Sequence, residues 1–346
     1  MIPVNVVTGF LGSGKTTLLR EILERPEFSD TAVIVNEFGE VGLDHLLLEE
    51  VEEGVLLLDS GCLCCTIRSD LKDTLRDLYD RAAAGAIPRF SRVVVETTGL
   101  ADPAPIVSTL AAEPVIRNHF RIGNIVCTVE AVAGADSLTH YPEAVKQASV
   151  ADRILVTKCD MAEEGRIAAL EARLRRLNPM AGTMRSTGAG FDAGFLFSED
   201  LGDAARRGAE VARWLEEAAR VERDHAEGHG HDHIHDSHTE SFVVRYPEPI
   251  DWTAFGVWLT ALLHAHGERV LRVKGILKVR ESDAPVVIHG VQHVVHPPMH
   301  LPRWPDDDHA SRIVFITRGI APETIRQSLH RVLAAVAPAP LAQPAQ

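Results

Sequence analysis

The stretch "VNVVTGFLGSGKTTLLREILER", residues 4–25, constrains the fold more than any other part of the chain. Residues 4–8 read as a short buried strand, and from Lys15 onward Leu18, Leu19, Ile22 and Leu23 share one helical face until Pro26 ends the helix. Between them Gly9, Gly14, Lys15 and Thr16 fit G-x-x-x-x-G-K-[ST]. The glycines let backbone N–H groups curl around phosphates, Lys15 neutralises the β/γ oxygens, and the Thr16 hydroxyl is placed to ligate Mg²⁺. A glycine turn that merely joined a strand to a helix would not require Lys15 and Thr16 at those spacings.

Such a strand–loop–helix unit needs a sheet to sit in. Apolar runs recur at 31–36, 54–59, 92–97, 125–130 and 153–158 with helical segments between them. That alternation predicts right-handed crossovers and a mostly parallel sheet covered on both faces, an α/β P-loop NTPase domain over residues 1–222. With 346 residues, 45% of them apolar, the chain has material for a second core. After a helical pattern over 201–223 comes "DHAEGHGHDHIHDSHTE", which holds six histidines and cannot build a core. Residues 223–240 therefore read as a His-rich flexible linker. Strands at 241–246, 269–279, 285–296 and 312–317, with a helix near each end, predict a small α+β domain over 241–336. The Pro- and Ala-rich tail, 337–346, is expected to be disordered.

Charge and apolar-run length narrow the function classes. The net charge of −14, from 49 acidic and 35 basic side chains, argues against nucleic acid or anionic lipid as a partner. No cationic, then apolar, leader opens the sequence and no apolar run approaches the ~20 residues of a membrane helix, so a cytoplasmic location is expected. Five cysteines, an odd count with Cys64 and Cys65 adjacent, suggest metal or thiolate chemistry over a disulfide framework.

Two further motifs belong to the nucleotide site. "VVVETTGL" ends a buried strand with Glu96 and then Gly99, where a P-loop protein needs a carboxylate for Mg²⁺ or its water and an amide near the γ-phosphate. Thr97 or Thr98 capping a helix is the plainer reading, and the two are compatible. "TKCD", Thr157 to Asp160, ends another strand and resembles the [NT]-K-x-D signature of guanine binders. The carboxylate of Asp160 accepts two hydrogen bonds that guanine offers and adenine does not, while the Lys158 stem covers the ring, so GTP is favoured over ATP. Thr157 stands where Asn is more usual, which removes a side-chain amide and predicts looser purine recognition.

The segment "GCLCC" follows the strand "VLLL", placing Cys62, Cys64 and Cys65 at a strand end, the side of an α/β sheet where ligands bind. Two thiolates of a C-x-C pair can converge on one soft ion, and Zn²⁺, Co²⁺, Ni²⁺ and Cu⁺ all remain open. Buried, inert cysteines are the alternative.

Taken in order, "TGFLGSGKTTLL", "VNEFGEVGLD", "SGCLCCTIRSDL", "ETTGLADP" and "TKCD", then the His-rich segment, "RVKGIL" and "GVQH", resemble the CobW-like P-loop GTPase metallochaperones from about residue 3 to residue 335. The resemblance implies a GTP-hydrolysing chaperone that carries a metal ion, zinc by the role most often ascribed to the family and cobalt by analogy with its namesake, to a client metalloprotein. It assigns phosphate and Mg²⁺ binding to Gly12, Ser13, Gly14, Lys15, Thr16 and Thr17, metal binding to Cys62, Cys64 and Cys65, and guanine reading to Thr157, Lys158 and Asp160. Glu37 and Glu40 fall in its nucleotide-responsive loop, as a Mg²⁺ ligand, a metal ligand or a water-orienting base. Oligomeric state is left open.

His225, His229, His231, His233, His235 and His238 are expected to concentrate metal as weak, tethered ligands, against the alternative of a solvated linker. His289, His293, His296 and His300 read as structural, since strand period does not bring them together. Two other classes compete: a passive metal buffer built on the His tract, against which the intact P-loop and Glu96 speak, and a small-molecule kinase, against which "TKCD" and "GCLCC" speak.

Overall fold

The structure is a computed structural model that describes residues 1–35, 47–52, 55–58, 63–66, 70–186, 190–197, 204–226 and 239–336. Two compact units divide the chain, meeting in sequence at Asp203 and Ala204.

The first unit is built on a nine-stranded sheet, in the order β3-β4-β5-β2-β6-β1-β7-β8-β9. Its strands are β1 (Ile2–Gly9), β2 (Thr31–Val35), β3 (Leu47–Glu52), β4 (Val55–Leu58), β5 (Leu63–Thr66), β6 (Arg92–Glu96), β7 (Phe120–Glu130), β8 (Arg153–Thr157) and β9 (Gly182–Arg185). From β5 across to β9 every neighbouring pair is parallel, while β3, β4 and β5 form an antiparallel meander at one edge. The helices are α1 (Lys15–Leu23), α2 (Leu71–Ala84), α3 (Ala104–Ala112), α4 (Pro114–His119), α5 (Gly134–His140), α6 (Pro142–Val150), α7 (Glu164–Leu177) and α8 (Ala193–Phe197).

Alternation along each central strand feeds two cores. Val33, Val94 and Leu155 pack with Leu18, Leu19 and Ile22 of α1. Their neighbours Ile34, Val93 and Val95 pack with Leu75 and Leu78 of α2, and Ile154 and Val156 pack with Ile167 and Leu170 of α7. A sheet buried on both faces explains why these strands are continuous apolar runs. Helix α2 has both of its ends marked in the sequence: Asp70 accepts from Lys72 N at 3.2 Å, and Gly85 closes it in the left-handed conformation at φ 77°.

The expected mostly parallel sheet is present, with three strands that periodicity does not reveal. β3, β5 and β9 read LLEEVE, LCCT and GTMR, and their charged, polar or glycine positions interrupt the apolar run that marks the other strands. The expectation that the cysteines stand at a strand end is corrected for two of them. Cys64 and Cys65 lie within β5, opposite Val33 and Ile34 of β2. Leu63 to Thr66 complete the backbone ladder of β2 on the side away from β6.

The second unit is a sheet ordered β10-β15-β11-β12-β13, with β14 also pairing β12. It comprises β10 (Thr239–Tyr246), β11 (Val270–Val279), β12 (Ser282–Val291), β13 (Val294–Val295), β14 (Met299–His300) and β15 (Ser311–Arg318), all pairs antiparallel. With them go α9 (Ala204–Ala226), α10 (Trp252–His266) and α11 (Pro322–Ala335). Phe255, Trp258, Leu259 and Leu263 of α10 and Ile325, Leu329 and Leu333 of α11 cover one sheet face.

The expected boundary at residue 222 is displaced, because α9 belongs to this unit. Arg207 donates to the His300 carbonyl at 3.1 Å, and Glu222 accepts from Val243 N at 3.2 Å. An amphipathic pattern announces a helix but not the sheet it packs on. Most of the linker and the tail, 227–238 and 337–346, lie outside the described residues. Among the described residues no helix is long and apolar enough to cross a membrane.

Candidate nucleotide and metal site

At the end of β1 the chain turns at Gly9, whose φ is +144°. A Cβ there would stand 2.4 Å from Thr128 Oγ1 and 2.6 Å from Ser13 Oγ, so only glycine fits. Gly12 and Gly14 take φ of +73° and +95°, and α1 begins directly behind them. The loop thus presents backbone N–H groups and the positive end of a helix at one point, a cradle for phosphate. Lys15 is 9% exposed and donates to the carbonyls of Gly9 at 3.0 Å and Phe10 at 3.2 Å, which places the ammonium inside that cradle. Thr17 is exposed on the first turn of α1.

Thr16 Oγ1 lies 3.4 Å from Glu96 Oε1, and Glu96 is buried at the end of β6. A hydroxyl and a carboxylate side by side at a phosphate cradle are hard oxygen donors, the ligand set that suits Mg²⁺ when phosphate oxygens complete the sphere. Thr97 donates to Thr8 Oγ1 at 2.9 Å and so ties β6 to β1 instead of capping a helix. Asp102 accepts from Ala104 N, the first residue of α3, at 3.0 Å. Gly99 packs on the phosphate loop, where a Cβ would sit 2.8 Å from Leu11 N.

Of the "TKCD" residues, Thr157 at the end of β8 reaches the same loop. Thr157 is buried and its hydroxyl donates to the Ser13 carbonyl at 2.7 Å, a tie between two loops 144 residues apart in sequence. A hydroxyl at this position is enough to tie β8 to the phosphate loop. Thr157→Val removes that donor at constant shape and strands a buried carbonyl. It is expected to cost about 1–2 kcal/mol in a denaturant titration, with weaker nucleotide binding. Lys158 adopts a left-handed φ of 55° and pairs with Glu130 at the end of β7, while Asp160 is exposed in the following turn.

Three groups at this site escaped the sequence reading: Thr128, whose Oγ1 is 2.6 Å from Ser13 Oγ; Glu130; and Gln147 of α6. Only Glu130 carried a signal, as the carboxylate that ends an apolar strand.

Of the predicted metal ligands, Cys64 and Cys65 are placed by backbone in β5. Cys62, Glu37 and Glu40 lie outside the described residues, as do five of the six tract histidines. Cys127 is buried, and burial pushes its thiol up to about 12. Burial also raises Cys159, whose Sγ donates to the Val156 carbonyl at 3.3 Å. His289 is buried and His296 intermediate, with ring centroids 6.4 Å apart, whereas His293 and His300 are exposed. Among the described residues no three His, Cys, Asp or Glu side chains gather for a metal ion.

Comparison with known proteins places this geometry. Residues 3–185 match the family model for the CobW/HypB/UreG nucleotide-binding domain, and residues 239–333 match that of the cobalamin synthesis protein cobW C-terminal domain. The chain is 34% identical to the zinc chaperone YjiA of Escherichia coli over 327 residues, 94% of this chain and 96% of that one. It is 28% identical to the zinc chaperone CobW of a Sinorhizobium species over 318 residues, covering 84% and 85%. Its structure aligns with the Zn(II)-bound YjiA GTPase from E. coli at a TM-score of 0.74 and 29% identity, over 96% of this chain and 98% of that one.

Proposed function

The chain belongs to the CobW/HypB/UreG family, and we propose that it is a cytoplasmic GTPase that holds zinc at Cys62, Cys64 and Cys65 and passes it to a client metalloprotein as GTP is hydrolysed. Lys15 and the loop amides from Gly12 to Thr17 bind the phosphates, Gly99 N–H meets the terminal one, and Asp160 reads guanine beneath the Lys158 stem. Mg²⁺, held by Thr16 and Glu96, neutralises phosphate charge when bound. A carboxylate of the 36–46 segment, Glu37 in this assignment, orients the attacking water.

One observation carries the reading. Ile34 of β2 lies opposite Cys65 on one side and Val95 on the other, and Glu96 follows Val95. At ~4.8 Å per strand, the cysteine-bearing backbone runs about 10 Å from the strand that ends in Glu96. The metal segment and the Mg²⁺ carboxylate are thus separated by a single strand. A change at Glu96 between triphosphate and diphosphate has little matter to cross, and linkage makes the effect reciprocal.

The test is a metal-competition titration of the reduced protein with Zn²⁺, Co²⁺, Ni²⁺ and Cu⁺, in Mg²⁺-GTP and in Mg²⁺-GDP. Zinc is expected to bind about 5- to 150-fold tighter in the GTP state, the usual range of coupling between sites. Equal affinities in the two states would remove gating and leave a passive buffer.

A further inference from the structure

Two adjacent side chains of α6 grip the residues that follow the β6 carboxylate. Gln147, 0% exposed, donates through Nε2 to the carbonyls of Gly99 at 3.1 Å and Ala101 at 3.0 Å. Its neighbour Lys146 stands 2.5 Å from Asp102 Oδ2, while Asp102 Oδ1 accepts from Ala104 N. Gly99 also packs closely on Leu11 of the phosphate loop, where a Cβ would stand 2.6 Å from Leu11 Cδ2. At the start of the same helix, Tyr141 stacks on Phe10 with ring centroids 4.5 Å apart. The residue that opens α6 therefore touches the phosphate loop, and the middle of the helix touches the 99–102 loop.

The chemistry of Gln147 exceeds what packing needs. A buried residue of this size that only filled space would be Leu or Met, with no amide to desolvate. Two N–H donors aimed at two carbonyls of one loop restrain the orientation of its peptides. Fixing the Gly99 carbonyl sets the peptide plane on its C-terminal side, and contact with Leu11 limits the rotation left to the Gly99 N–H. We infer that Gln147, backed by Lys146, is the positioning residue that holds the Gly99 N–H at the terminal phosphate and so sets the rate of GTP hydrolysis. The inference rests on the GTPase reading above, and Gln147 acts through Gly99 without touching nucleotide.

The distinguishing variant is Gln147→Met in the full chain, near in size and without donors. GDP has no terminal phosphate to meet Gly99, so GDP affinity is expected to stay within about twofold of wild type. GTP turnover, read as kcat/KM, should fall at least about tenfold, the loss of a contact to the terminal phosphate that GDP does not make. Unchanged turnover, or GDP affinity falling in step with it, overturns the inference. Gln147→Glu adds a pH readout. Its carboxylate would face two carbonyls and take up a proton at higher pH than usual, restoring one donor. Its turnover relative to wild type should rise as pH falls from 8 to 6, and a flat ratio counts against the role.

Should neither variant fold, Lys146→Met at the half-buried partner tests the same clamp. A two- to threefold drop in turnover with GDP affinity intact is expected, and no drop overturns it. Wild type lacking GTP turnover would sink the GTPase reading instead. Hydrogen exchange at residues 99–102 of Gln147→Met then decides the clamp, faster exchange supporting it and unaltered exchange refuting it.

Discussion

Lys15→Ala is expected to lower GTP turnover by about 10²–10³-fold or more, the cost of deleting one preorganised charge from the transition state of a polar reaction. In the structure the ammonium is held inside the loop by the Gly9 and Phe10 carbonyls, so it needs no reorganisation to meet β/γ oxygens. Alanine leaves those carbonyls facing the phosphates with no cation between them. Steady-state phosphate release checks the result, and normal turnover would refute the role. Gly9→Ala is expected to have a comparable effect by another route, since its Cβ would collide with Thr128 and Ser13 and deform the cradle itself.

Cys64→Ala should weaken zinc binding in the GTP state by at least about 10²-fold, because losing a ligand costs more than losing a group that orients one, itself worth 10–100-fold. GTP affinity measured without metal should be nearly unchanged, since Cys64 pairs through its backbone with β2 and β4 and alanine preserves both ladders. The pair of measurements separates a metal ligand from a structural cysteine. A structural residue would disturb nucleotide binding as well, through β2 and β6. Competition against a chromophoric chelator reads the first quantity and fluorescent-nucleotide binding the second. Tight zinc binding retained in the variant would remove Cys64 from the site.

Parts of this site were open to reading because they are local. Gly9 to Thr17 is nine residues whose chemistry depends on backbone conformations that glycine alone tolerates, with φ of +144°, +73° and +95° at Gly9, Gly12 and Gly14. Glu96 was legible as a charge ending an apolar run. The guanine motif was legible as a tetrapeptide, yet the effect of Thr157 was read only in part. The lost amide was visible, whereas the hydroxyl's bond to Ser13 spans 144 residues and needed the fold to appear.

The sequence by itself determined the fold class, the glycine-rich loop, the carboxylate that ends β6 and the presence of two folded parts, because strand period, helix period and glycine chemistry act within a few turns of chain. Only the tertiary structure decided that Cys64 and Cys65 lie in a strand beside β2, that α9 joins the second unit and that Gln147 grips the 99–102 loop. Each of these depends on which backbone donor or buried face is left unmatched after the main sheet has formed. That is a property of the assembled surface, and no window of sequence contains it.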